Sequence, residues 1–124
     1  MKTVKYETTV VKLGPLVQDF IDSGILVFFG MDAPEELAEF TILHEHTPLR
    51  SEIVAGDVIQ IDEDSYTILC VGEVANANLS NLGHFVIKFN GNTEPEMPGD
   101  ISLAEQSELP EIKPGTVVKF VAGK

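Results

Sequence analysis

Tryptophan is absent from this 124-residue chain, cysteine occurs once, histidine three times, and 8 Lys and Arg face 20 Asp and Glu. A lone cysteine, Cys70, excludes an internal disulfide and fits a reducing compartment. The net charge of −12 argues against nucleic acid and anionic membrane surfaces, whose phosphates would be repelled. No apolar run approaches the ~20 residues that a bilayer-spanning helix needs. The longest runs, around Gly24 to Gly30 and Tyr66 to Val71, are strand-sized. The opening Met1-Lys2-Thr3-Val4-Lys5-Tyr6-Glu7 lacks the apolar stretch of a signal peptide, so a cytoplasmic protein with no membrane insertion is expected. Also missing are a serine or cysteine nucleophile set with a base and a glycine-rich phosphate loop.

What is present is an apolar fraction of 44% over a length suited to one domain, residues 1–124, with a single core. Tyr6 to Leu13, rich in Thr and Val, reads as a strand stopped at Gly14-Pro15. Ile25 to Phe29, framed by Gly24 and Gly30, reads as a buried strand. Asp32-Ala33-Pro34-Glu35-Glu36-Leu37 is a helix start, with Pro and acids in the first turn. Thr41 and Ile42 are β-branched and Pro48 disfavours helix before it, so the helix should end near Phe40 and a strand should follow. Val58 to Asp62 and Tyr66 to Val71 form a hairpin across Glu63-Asp64-Ser65. Glu73 to Leu82 is a loop or short helix, and His84 to Phe89 is a strand. Thr93 to Pro114, with four prolines and six acids, should be an irregular connection holding at most one short element. Thr116 to Val121 closes the chain as a strand. The sum is a mainly β fold, a small barrel or sandwich with one or two short helices.

The strand after that helix carries Leu43-His44-Glu45-His46. Alternate residues of a strand share a face, so His44 and His46 should point the same way. Such a pair suits a metal ion or a phosphoryl group. A cupin-like metal-binding barrel enzyme would add His84 and a Glu such as Glu52. However, Glu52 lies too far along, the framing glycines are missing, and no Pro-x-Gly precedes His84. Phosphoryl carriage needs less, and neither metal nor other cofactor. A neutral imidazole is nucleophilic near its ordinary pKa of about 6.5, and a second imidazole can donate to the phosphoryl oxygens. The plain alternative is that the histidines are hydrogen-bonded structural residues. Cys70, within Thr67-Ile68-Leu69-Cys70-Val71, reads as core.

Several motifs appear in a fixed order: Ala33-Pro34-Glu35-Glu36-Leu37, Leu43-His44-Glu45-His46 and Val71-Gly72-Glu73-Val74-Ala75. They continue with Asn78-Leu79, Leu82-Gly83-His84, Pro98-Gly99 and Lys113-Pro114-Gly115-Thr116-Val117-Val118-Lys119-Phe120. Together they resemble the glucitol/sorbitol-specific IIA component of the bacterial phosphotransferase system, over nearly the whole chain. The resemblance implies a cytoplasmic phosphocarrier within a sugar phosphotransferase complex. It would accept a phosphoryl group from the phosphohistidine of HPr and pass it to a cysteine of the membrane-attached IIB/IIC components. The first histidine of the family's His-x-His motif is the acceptor and falls on His44, through Nε2. His46 and His84 also fall on family histidines and are candidate hydrogen-bond partners of the phosphoryl group. The His44 ring should be neutral and exposed at a shallow site with an apolar rim. Oligomeric state stays open; small β domains with long irregular connections often pair as homodimers.

Overall fold

In the computed structural model, which describes residues 3–123, eight strands close into one barrel. Along the chain lie β1 (Val4–Leu13), α1 (Val17–Asp22), β2 (Ile25–Gly30), α2 (Glu35–Ala38), β3 (Ile42–His44) and β4 (Val58–Ile61). They are followed by β5 (Asp64–Val71), α3 (Ala75–Leu82), β6 (Phe85–Phe89), β7 (Asp100–Leu103) and β8 (Val117–Val121). Around the barrel the order is β1-β3-β2-β6-β7-β5-β4-β8, and β8 pairs back onto β1. Closure removes every sheet edge, a problem an open sandwich would have to manage otherwise.

Alternation builds the interior. On β1, Tyr6, Thr8 and Val10 are buried while Glu7 between them is exposed. Phe85 and Phe28 stack at 4.4 Å inside, and Phe120 meets Phe85 edge-on at 5.3 Å. Such aromatic contacts add about 0.5–1.5 kcal/mol each beyond area burial.

Two strand pairs are parallel, β2 with β3 and β6 with β7. A parallel pair needs a crossover, and the first is residues 31–41, which contain α2. The second, residues 90–99, leads into β7, which lies inside the acidic, proline-rich stretch from Thr93 to Pro114. There the strand itself is apolar at its inward positions, Ile101 and Leu103, and Asp100 is neutralised by Lys88 at 2.8 Å.

Among the described residues the helices number three rather than one or two. The unexpected one is α1, whose Val17 and Ile21, one turn apart, are buried as the helix packs on β2. Gly14-Pro15 signals a break and masks so short a helix. The β4–β5 turn is tighter than expected: Ile61 pairs with Asp64, leaving Asp62 and Glu63 as its corners. Asp62 adopts φ +53°, a left-handed conformation that Asp tolerates.

One buried ion pair ties the barrel seam. Lys5 Nζ lies 2.7 Å from Asp57 Oδ2, and Asp57 also accepts the amides of Val54 and Gly123. No helix among the described residues is long and apolar enough to cross a membrane.

Candidate active site at the end of strands β2 and β3

His44 is the last residue of β3, paired with Gly30 at the end of β2 and with Val10 of β1. It is 0% exposed, which corrects the expectation of an exposed ring. The cause is the strand period: His44 stands two residues after Ile42, which is as fully buried, and shares its inward face. Its ring sits edge-on to Tyr6, Phe28 and Phe85, with centroids 5.6–6.3 Å away. Nδ1 lies 2.8 Å from Thr8 Oγ1 and 3.2 Å from the Glu45 carbonyl; Nε2 lies 2.6 Å from the Gly83 carbonyl.

His46 does not continue the face. The strand stops at His44, and His46 stands exposed beyond it. Its Nε2 donates to the Ser80 carbonyl at 3.0 Å. The two rings therefore differ in burial, yet both aim Nε2 at the C-terminal turn of α3. His84 precedes β6 and is half-buried. Its Nδ1 donates to the Phe28 carbonyl at 3.1 Å, and its ring lies over Phe29 at 4.8 Å. With Nδ1–H so committed, a neutral His84 keeps its lone pair on Nε2.

Two glycines let these pieces approach. Gly83 ends α3 at φ +67° and donates to the Leu79 carbonyl, the left-handed cap that glycine favours. At Gly30 a Cβ would meet the Leu82 carbonyl at 2.7 Å and His46 Cβ at 3.3 Å. Beside these glycines stand the half-exposed apolar side chains of Met31 and Leu82, with exposed Asp32 and Glu45 nearby in sequence.

Burial holds the His44 imidazole below its ordinary pKa, with the carbonyls of Gly83 and Glu45 pulling it partly back and His46 pushing it further down. The ring is therefore neutral at physiological pH and carries one lone pair. A surface depression of about 660 Å³ elsewhere, lined by Asp62, Glu63, Glu111, Lys113 and Lys119 among others, includes none of the histidines.

The profile of the phosphotransferase-system glucitol/sorbitol-specific IIA component matches residues 5–119. The chain belongs to this family. Two relatives, the glucitol/sorbitol-specific EIIA components of Shigella flexneri and Escherichia coli strain K12, are each 34% identical over 123 residues. Each alignment covers 98% of this chain and 98% of the relative. A crystal structure of a phosphotransferase-system IIA component from Enterococcus faecalis V583 superposes with a TM-score of 0.82 at 23% identity. It covers 94% of this chain and 100% of that one, and it shares the fold.

Within this IIA chain, no group of three or more His, Cys, Asp or Glu among the described residues is arranged to hold a metal ion. The cupin-like reading of His44, His46 and His84 thus has no donor set, since both nitrogens of His44 already face Thr8 and Gly83. Sequence reasoning missed Thr8 and Gly83. Thr8 was detectable as a polar residue at an inward position of an alternating strand; Gly83 gave only the signal of a glycine at a helix end. Cys70 is buried, as read, with its Sγ facing the Asn92 carbonyl.

Proposed function

We propose that this chain is a cytoplasmic phosphocarrier that takes a phosphoryl group from phospho-HPr on His44 and delivers it to the IIB component for sorbitol uptake. Family membership supports the carrier role. The observation that carries the choice of site is the convergence of His44 Nε2 and His46 Nε2 on one turn, at the carbonyls of Gly83 and Ser80. His44 supplies a neutral imidazole held rigid by aromatic rings. His46 supplies an N–H already aimed where phosphoryl oxygens would stand once that turn moves aside.

Donor and product are both phosphoramidates, so the transfer is close to isoenergetic and reversible. The cover over His44 Nε2 is one carbonyl of a left-handed glycine, next to the half-exposed Leu82. Displacing one such turn is a small motion that a docking protein can drive. Met31 and Leu82 give the apolar contact suited to a transient interface, and the acidic surface favours encounter with a basic partner face.

A second reading rests on His84: its Nδ1 is fixed by the Phe28 carbonyl, and its half-buried ring leaves Nε2 with a lone pair. One experiment separates the two. The protein is incubated with phosphoenolpyruvate, enzyme I and HPr, and an acid-labile, alkali-stable phosphoryl group is sought by mass spectrometry. His44→Ala should abolish labelling, His46→Ala should slow it, and His84→Ala should retain it. Labelling that survives His44→Ala and disappears in His84→Ala would transfer the role to His84. No labelling of folded wild type would sink the carrier reading.

A further inference from the structure

Protons around His44 can be counted. Thr8 Oγ1 touches both the Glu45 carbonyl and His44 Nδ1. A carbonyl only accepts, so the single hydroxyl proton of Thr8 points at Glu45. Thr8 Oγ1 must then accept from His44, which places the ring proton on Nδ1. The Glu45 carbonyl, 3.2 Å from the same nitrogen, is a second acceptor on that side and demands the same tautomer. A neutral ring has one N–H, so Nε2 carries the lone pair. Yet Nε2 faces the Gly83 carbonyl at 2.6 Å, where two lone pairs would repel. The closed arrangement is one proton short for a neutral imidazole.

From this count we infer that Thr8 is a positioning residue: it fixes the Nδ1–H tautomer of His44, making Nε2 the nucleophile and leaving the Gly83 carbonyl with no proton to hold it closed. The inference rests on the carrier reading above. In the transfer, the Nε2 lone pair forms the new N–P bond as the donor's N–P bond breaks, and that electron pair returns to the donor ring. A donor that enters with its second nitrogen protonated leaves as neutral imidazole. The Nδ1 proton of His44 stays in place, hydrogen-bonded to Thr8, so no base is needed. Thr8 never touches the phosphoryl group.

Without the hydroxyl, the proton is drawn to the other side of the ring. Nε2–H would then donate to the Gly83 carbonyl, closing the turn and hiding the nucleophile. Loss of one such hydrogen bond corresponds to about a ten-fold shift in the tautomer ratio. Thr8→Val keeps the shape and removes the hydroxyl; Thr8→Ser keeps the hydroxyl.

The test is ¹⁵N NMR of the His44 ring at pH 8 in wild type and both variants, with phosphorylation rates from phospho-HPr on the same samples. Expected are the Nδ1–H tautomer in wild type and Thr8→Ser, a shift towards Nε2–H in Thr8→Val, and labelling about ten-fold slower in Thr8→Val alone. A merely structural threonine would change melting temperature without moving the tautomer. Finding Nε2–H in wild type overturns the inference whether or not Thr8→Val folds, and so does Thr8→Val labelled at the wild-type rate. If His44 is never labelled, the carrier reading fails, while the wild-type tautomer still decides the placement of the proton.

Discussion

Replacing Gly83 with alanine should destabilise the barrel by about 2 kcal/mol, and two separate causes add to that figure. The backbone sits at φ +67°, where a residue with a Cβ is disfavoured by about 1–2 kcal/mol. The new Cβ would also lie 3.2 Å from both Gly30 N and His44 Cε1 and 3.3 Å from Gly30 Cα. Those neighbours belong to paired strands and a packed ring, so they yield only at further cost. For a chain of this length each kcal/mol moves the melting temperature by about 4 °C, which gives a drop of about 8 °C. Gly91→Ala is the control. It has φ +71°, close to that of Gly83, and its added Cβ would meet only the Glu105 side chain at 3.6 Å, so it carries a similar backbone cost without the close contacts. Calorimetry on both variants should place Gly83→Ala below Gly91→Ala, and the ¹H–¹³C resonance of His44 Cε1 should move only in the former. Equal melting temperatures with an unmoved Cε1 resonance would refute the close packing of the α3 turn on His44.

Other perturbations probe the seam and the buried ring. Asp57→Asn should cost about 3 kcal/mol in urea unfolding, because it removes the counter-charge of the Lys5 ammonium, whose side chain is 12% exposed, and leaves it the neutral Glu52 carbonyl; a loss under 1 kcal/mol would deny the pair its role. Burial raises the Asp57 carboxyl, but Lys5 and the amides of Val54 and Gly123 more than reverse this and hold it below 3.8. Its contribution is therefore present above that pH and lost as pH falls through the folded value. His44 has a folded pKa below 6.5, so the unfolded chain takes up the proton first. Stability should fall as pH drops below 6.5 towards the folded value, then level off for this group. Tyr6, pushed above its ordinary 10.0 by burial, stays neutral in that range, and the neighbouring His46 pushes the His44 pKa further down. Urea midpoints at pH 8 and 5.5 should separate more in wild type than in His44→Gln; parallel behaviour would contradict the burial of an uncharged ring.

Most strands were legible because their signals are local. Tyr6 to Leu13, Ile25 to Phe29, Val58 to Asp62 and His84 to Phe89 each carry β-branched or aromatic residues between turn formers, and each is a strand within a residue or two. Barrel closure was not legible, because it depends on β8 meeting β1 and β4 far away in sequence. The strand β7 was obscured by its acidic flanks, since the neutralising Lys88 lies on another strand. At the site, the His-x-His pair was visible and the family resemblance was correct. The burial of one ring and exposure of the other were not foreseen. That split depends on where β3 stops, and a two-residue period predicts a shared face only while the strand continues.

Strand β8 follows both β1 and β4 in sequence and lies between them in the barrel. During synthesis both of those neighbours leave the ribosome with their facing edges unpaired, and they wait for Val117–Val121 to arrive. An unpaired edge is a template for other chains. Removal of this short segment would therefore do more than shorten the protein: it would convert a sealed cylinder into a sheet with two open borders. Yield and aggregation in the cell should depend more steeply on Val118 and Phe120 than on any histidine.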